Sequence, residues 1–317
     1  HAEDLRGAAR ALTRLQETYF LKVEDLAEGI LNGVIYRLVY NNYYLHNINF
    51  LLQSKVCLSV YPLYRKKCTV CLILAQGSCG HHQGQNQLKC RYYNENSFLK
   101  LAPIKMEYKY HNPDIVIFYE VLSDEEIEII KNILKRALIY NTESKRFASA
   151  EKRISKSAWL VDKESPVVER VSRRVADFTG LNMDTAEDLQ VVNYGIGGHY
   201  TPHVDYPEHT QQFSDEVGNR IATVLFYMSD VAEGGATVFP KLSLSLFPVR
   251  GAAAVWFNLF PSGEGDRETA HAACPVLRGT KWVCNKWIHM VGQEFRRPCG
   301  LTREKTGNDS DFNSRVK

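Results

Sequence analysis

Asn193-Tyr194-Gly195-Ile196-Gly197-Gly198-His199-Tyr200-Thr201-Pro202-His203-Val204-Asp205 sets an imidazole and a carboxylate two residues apart, behind a glycine-rich turn. Alternate side chains of a β-strand leave on the same face, so His203 and Asp205 can converge on one point. A metal ion needs that geometry. Alone the pair says little: with ten histidines in the chain and each charged residue type at about 6% of an average composition, roughly 0.6 such pairs arise by chance.

Downstream of this stretch the pattern is β. Gln190 to Tyr194, Arg220 to Met228, Ala236 to Phe239, Leu242 to Phe247, Ala252 to Asn258 and Lys281 to Met290 read as short strands, punctuated by Gly234-Gly235, Pro240, Pro248, Gly251, Pro261 to Gly265 and Gly279. Many short strands with frequent turns argue a sandwich, and a metal site inside it suggests a double-stranded β-helix, or jelly roll. Upstream, Ile115 to Tyr119 is a short strand. Ser123-Asp124-Glu125-Glu126 is a capping box ahead of a helical stripe of Ile127, Ile130, Ile133, Leu134 and Leu138. A second helix is expected over 166–179, capped by Ser165, opened by Pro166, faced by Val167, Val171, Val175 and Phe178, and stopped by Gly180. The fold class is thus mainly β with buttressing helices, an α+β arrangement.

The first part of the chain is less regular. Leu5, Leu12, Leu15 and Tyr19 mark an amphipathic helix over 2–20, residues 34–74 sustain neither helix nor strand period, and 76–97, with Gly77, Gly80, Gly84 and His81-His82, reads as a loop. No acidic residue falls between Glu28 and Glu95, although that interval carries seven lysines and arginines from Arg37 to Arg91. The expected organisation is a partial N-terminal helical segment (1–33), an atypical insert (34–87), a catalytic domain (88–300) and a polar tail (301–317) holding the sequon Asn308-Asp309-Ser310.

Composition excludes several classes. The 317 residues are 44% hydrophobic and 24% charged with a net charge of +3, as in an ordinary globular protein, and too weakly charged to argue for nucleic acid. No run of 18 uncharged apolar residues could span a bilayer, so no membrane partner is expected. The chain opens on His1 without a signal-peptide pattern, as a mature product or fragment would. Of eight cysteines, Cys79 and Cys90 bracket one segment and Cys274 and Cys299 another, and either pair could be a bridge. Cys68 and Cys71 read as small apolar residues, since a lone C-x-x-C lacks a second pair for zinc.

The second metal-binding histidine is sought in Thr269-Ala270-His271-Ala272-Ala273-Cys274-Pro275, because a jelly roll returns late strands beside early ones. His271 would complete a 2-His-1-carboxylate triad with His203 and Asp205, the ligand set of non-haem Fe(II) oxygenases. Three positions stay open on the metal: a 2-oxo acid fills two and O2 the last. The far carboxylate of such an acid needs a buried cation, and Lys281 is the candidate, since a buried ammonium is costly unless paired.

The runs Asn193-Tyr194-Gly195-x-Gly197-Gly198, His203-x-Asp205, Gly218-Asn219-Arg220-Ile221-Ala222-Thr223, Gly234-Gly235-Ala236-Thr237-Val238-Phe239-Pro240, Ser262-Gly263-Glu264-Gly265-Asp266, His271-Ala272-Ala273-Cys274-Pro275 and Gly292-Gln293-Glu294-Phe295-Arg296-Arg297-Pro298-Cys299 carry a resemblance. The block from Leu189 to Pro298 resembles the catalytic domain of the prolyl 4-hydroxylases, most closely the collagen-type α subunits, and residues 4–33 are similar to the family's assembly segment. The resemblance implies Fe(II) on His203, Asp205 and His271, and the distal carboxylate of 2-oxoglutarate on Lys281 in a pocket lined by Tyr194, Thr237 and Trp287. It implies that Arg220 and His289 serve the peptide substrate and turnover. It implies disulfides Cys274–Cys299 and Cys79–Cys90, O2 as cosubstrate, L-ascorbate as rescuer of oxidised iron, and residence in the endoplasmic reticulum lumen. Its substrate would be collagen-like X-Pro-Gly repeats and its partner protein disulfide isomerase, as the β subunit of an α2β2 tetramer.

Two departures matter. The family's helical peptide-holding domain has no counterpart in residues 34–75, and Cys284 has no family equivalent. The rival readings are hydroxylation of a non-collagen prolyl target and a catalytically impaired interaction subunit; intact His203, Asp205, His271 and Lys281 weigh against the latter.

Overall fold

The structure is a computed structural model and describes residues 30–31, 34–35, 90–141, 153–207 and 213–301. The expected helix over 2–20, His81-His82, Cys79 and Asn308 lie outside the described residues, as does most of the tail. A small strand pair, β1 (Ile30–Leu31) and β2 (Val34–Ile35), stands apart in sequence. The remaining strands are β3 (Cys90–Tyr93), β4 (Ile104–Tyr110), β5 (Ile115–Tyr119), β6 (Arg153–Ile154), β7 (Lys156–Leu160), β8 (Leu189–Tyr194), β9 (His199–His203), β10 (Arg220–Tyr227), β11 (Glu233–Gly234), β12 (Thr237–Phe239), β13 (Leu244–Leu246), β14 (Ala253–Phe257), β15 (His271–Ala273), β16 (Val276–Arg278) and β17 (Lys281–His289). The helices are α1 (Ser97–Leu101), α2 (Asp124–Asn141) and α3 (Pro166–Thr179).

An eight-stranded sheet in the order β3-β4-β5-β14-β10-β17-β8-β7 faces a five-stranded sheet in the order β13-β12-β15-β9-β6. This is the expected jelly roll. The large sheet is buried on both faces, and period-2 alternation sorts its side chains. Ala222, Val224 and Phe226 of β10, with Cys284 and Ile288 of β17, face the helices and meet Ile127, Ile130, Val171, Val175 and Phe178. Leu225 and Tyr227 of β10 and Val283 of β17 face the other sheet, meeting Phe239, Leu246 and Ala273. Each fully buried side chain of this size contributes roughly 1.5–3 kcal/mol, so the two layers together fix the sheet.

Both helices begin as their sequences require. The Ser123 hydroxyl accepts from the Glu126 amide at 3.2 Å while the Glu126 carboxylate accepts from the Ser123 amide at 3.1 Å. Ser165 caps α3 through the Val167 amide, and Gly180 closes it at φ 67°, a left-handed conformation that glycine adopts without penalty.

Several expectations are corrected. Residues 76–97 are not all loop: Cys90–Tyr93 pairs with β4. The expected strand over 242–247 is shortened, because Pro240–Leu242 turns as a 3-10 helix and Ser243 takes φ 53° before Leu244–Leu246 extends. The two expected disulfides are not formed. Cys90 and Cys299 are free, exposed thiols, whereas Cys274 is buried and bonded to another cysteine. The reason is placement: Cys274 packs with Ala236, Val238 and Ala272 on the smaller sheet, while Cys299 lies at the turn where the Gly300 amide donates to the Pro261 carbonyl.

Candidate active site

β9 and β15 pair antiparallel with His203 and His271 as register partners, so the sheet itself brings together two histidines distant in sequence. Asp205 follows β9 by two residues. One ligand atom from each of His203, Asp205 and His271 lies within 4.8 Å of the others. His203 Nε2 is 3.6 Å from Asp205 Oδ1, and His271 Nε2 is 3.6 Å from Asp205 Oδ2. A common device orients both rings: Nδ1 of His203 faces the Thr201 carbonyl at 2.8 Å, and Nδ1 of His271 faces the Thr269 carbonyl at 3.0 Å. A carbonyl only accepts, so Nδ1 carries the proton in each ring and Nε2 keeps its lone pair for a metal.

Behind the carboxylate, the Thr223 hydroxyl donates to Asp205 Oδ2 at 2.7 Å and accepts from Asn258 Nδ2 at 2.9 Å. Tyr200 stacks on His203 with ring centroids 3.7 Å apart, and Trp256 meets His271 edge-on at 4.8 Å. Burial pushes the His203 imidazole down to about 4, with His271 adding to the effect and Asp205 opposing it. Burial alone would raise the Asp205 carboxyl, but His271, His203 and the Thr223 hydroxyl outweigh it and leave the group below its ordinary value. Two imidazoles turning their Nε2 atoms to one carboxylate are thus arranged for a divalent ion, and the donor set fits Fe(II).

The triad lines a cavity of about 200 Å³ that also takes in Lys281, Thr237, Tyr194 and Trp287. Lys281 is 1% exposed. Its ammonium donates to Thr237 Oγ1 at 3.1 Å and lies 5.8 and 5.9 Å from the Tyr194 and Tyr227 rings. Among the described residues no carboxylate is recorded within ion-pair distance of it, and burial pushes it down to about 7. An unpaired buried cation above two aromatic rings is a receptor for an anion.

Arg220, on the cavity lining, and the buried His289 are held by a residue that the sequence did not single out. Arg220 pairs with both oxygens of Glu187, its Nη2 at 2.8 Å, and its Nη1 reaches the Asp205 carbonyl at 3.3 Å. His289 faces the same carboxylate through Nε2 at 3.0 Å and the Gly218 carbonyl through Nδ1 at 2.6 Å. The Arg220 guanidinium also lies over Trp287 at 4.1 Å. Across the cavity Arg153 donates to Gln190 at 3.0 Å and covers Tyr200. Glu187, Arg153 and Gln190 fall in no motif, and Thr223 and Asn258 gain their roles behind Asp205 only from the pairing of distant strands. The structure brings His203, Asp205, His271, Lys281, Tyr194, Thr237, Trp287 and Arg220 to one cavity, whereas His289 lies outside its lining and meets Arg220 through Glu187.

A family model described as the 2OG-Fe(II) oxygenase superfamily matches residues 189–289, the span that carries this whole constellation. A second family model, the N-terminal region of the prolyl 4-hydroxylase alpha-subunit, matches residues 1–33. Prolyl 4-hydroxylase subunit alpha-1 of Gallus gallus is 53% identical over 227 residues, covering 69% of this chain and 44% of that protein. Subunit alpha-2 of Caenorhabditis elegans is 52% identical over 231 residues, 71% of this chain and 43% of that protein. The chain therefore spans less than half the length of these relatives. The viral collagen prolyl hydroxylase of Paramecium Bursaria Chlorella virus-1, solved with 2OG, is 26% identical with a TM-score of 0.48 and covers 56% of this chain and 96% of its own. Within the oxygenase domain, the triad sits on the smaller sheet and the cation on the larger, so the site lies between them.

Proposed function

We propose that this chain is a 2-oxoglutarate- and Fe(II)-dependent prolyl 4-hydroxylase acting on collagen-like X-Pro-Gly sequences. The observation that carries the reading is the unpaired Lys281 ammonium in the same cavity as the His203–Asp205–His271 triad; identity above 50% to prolyl 4-hydroxylase alpha subunits supports the choice of substrate. Fe(II), when bound, couples O2 to the decarboxylation of 2-oxoglutarate, giving succinate and CO2 and placing a hydroxyl on C4 of a peptidyl proline. His203, Asp205 and His271 hold the ion, and the Thr223 hydroxyl fixes one oxygen of Asp205. Lys281 and Thr237 hold the distal carboxylate of the cosubstrate, while Tyr194 and Trp287 wall its pocket and exclude water. Arg220 and His289, fixed by Glu187, shape the mouth where the peptide enters.

Ascorbate as rescuer of oxidised iron, protein disulfide isomerase as partner and the endoplasmic reticulum lumen as compartment belong to the same reading. The relatives are named as alpha subunits, which supports a non-identical partner, and a disulfide at Cys274 suits an oxidising compartment. The test is succinate release from labelled 2-oxoglutarate with and without a Pro-Pro-Gly repeat peptide. Peptide-dependent release that His203→Ala and Lys281→Ala abolish supports the reading, and full activity in either variant rejects it.

A further inference from the structure

Trp159 stands at the open edge of the large sheet, on β7, and is 45% exposed. It belongs to neither large core cluster, although its neighbours Ala158 and Leu160 pack against or within one. Its ring is not idle: it leans on Trp287 with centroids 5.7 Å apart and planes at 44°. Trp287 is 7% exposed and lines the cavity.

The register shows where this edge leads. Trp159 is the partner of Gln190, Gln190 of Asn285, and Asn285 of Leu225. Directly opposed residues share a sheet face, so these four side chains form one row from β7 across β8 and β17 to β10. Gln190, Asn285 and Leu225 line the cavity. Trp159 is thus the outer end of the surface whose inner end is the active site, and Trp287 bridges the two diagonally.

We propose that Trp159 is a substrate-recognising residue: with Trp287 it forms an aromatic ledge that takes a prolyl ring of the peptide other than the one being hydroxylated. This rests on the prolyl hydroxylase reading above and names the part of the chain that grips the substrate outside the cavity. The chemistry is that of proline-rich recognition generally. A polyproline II strand is stiff and presents pyrrolidine faces every third residue, about 9 Å apart, and such faces dock on exposed aromatic rings that already stand in place. An indole half in water beside a catalytic cavity offers such a face, and the continuity of the row with the cavity lining gives the peptide one path.

The test compares the full chain with Trp159→Ala, Trp159→Gln and Trp159→Phe in succinate release driven by a synthetic Pro-Pro-Gly repeat peptide. The Ala and Gln variants should raise the KM for peptide roughly three- to tenfold and leave kcat, the KM for 2-oxoglutarate and peptide-independent succinate release unchanged. Trp159→Phe should stay near the wild type. Should Trp159→Ala not fold, the Gln and Phe pair carries the same comparison. Peptide KM unchanged in the Gln variant overturns the proposal, as does an equal rise in the KM for 2-oxoglutarate. A wild-type chain that releases no succinate rejects the reaction itself, an outcome distinct from both.

Discussion

The Glu187 carboxylate stands 3.0 Å from Nε2 of His289 while it also binds the guanidinium of Arg220. One acid therefore sets two positions of the mouth. Glu187→Ala leaves the part-buried Arg220 charge without its partner and should cost about 2 kcal/mol of stability. It should also lower peptide turnover at least roughly tenfold, since a misplaced binding group loses orientation, while metal and 2-oxoglutarate binding persist. Thermal unfolding, calorimetry and steady-state kinetics read these three effects separately, and unchanged turnover would sink the positioning role.

Thr223→Val removes the hydroxyl that donates to Asp205 Oδ2 and leaves the volume nearly unchanged. Partners behind a metal ligand are typically worth about 10–100-fold in metal affinity. Titration with Fe(II) under anaerobic conditions, or with Co(II), should show a loss of that size in Thr223→Val and no measurable site in Asp205→Ala.

On the proposed function, Lys281 would link cosubstrate binding to pH. Burial lowers the free lysine from its ordinary 10.5 to about 7, whereas a bound carboxylate would hold it protonated. Affinity for 2-oxoglutarate should therefore fall as pH rises above about 7, by up to about tenfold per unit, with a proton taken up on binding. Calorimetry in buffers of different ionisation enthalpy measures that proton directly. Without the anion, the depressed lysine weakens the fold as pH falls from 10.5 toward 7, so 2-oxoglutarate should stabilise the protein most near neutrality. An affinity that does not vary between pH 7 and 9 would count against the assignment.

Acid should weaken the metal-free protein in two stages. His203 falls from 6.5 to about 4 because burial disfavours its charged form, so the unfolded chain binds more protons between those values. Stability present above pH 6.5 is lost as pH falls through that window, by about 3 kcal/mol in total. Glu187 behaves likewise lower down. Burial would raise its carboxyl, but His289 and Arg220 hold it below its ordinary 4.5, and its contribution is lost as that carboxylate protonates. Urea denaturation at pH 7 and pH 5 should show the first stage, and His203→Gln should flatten it.

Much of the fold was legible where local chemistry dictates it. Ser165, Pro166 and Gly180 bounded α3 at the observed ends, because caps are short-range. His203 and Asp205 were legible as a close pair, although the strand ends at His203 and Asp205 stands just beyond it. Lys281 was legible only jointly, since an isolated lysine says nothing until an iron site nearby calls for a cation. Glu187 was not legible at all. It lies between elements, and its partners stand on β10 and at the end of β17, joined to it by tertiary packing alone. β3 was lost to a run of Gly, Gln and Asn that hides its few residues. The cysteine pairing implied by the resemblance is not formed, because Cys274 is buried on the smaller sheet while Cys299 lies exposed beyond the last strand.

Gly265 offers a check on packing around the site. A methyl group there would collide with the Tyr206 ring, one residue beyond Asp205. Gly265→Ala should cost about 1–3 kcal/mol and loosen metal binding through the shifted Asp205, which unfolding and Co(II) titration would report together.

The pairing of His203 with His271 across β9 and β15 has one more consequence, for assembly of the barrel. A slip of a single residue would turn one imidazole to the opposite face, and the chelating set would vanish. Only the correctly threaded jelly roll can capture the ion, and whatever binds the native state alone raises its population by mass action. With iron at the proposed site, its supply would act as a quality inspector of strand threading, so starvation for the metal should lower the yield of folded protein before it lowers the rate of each molecule.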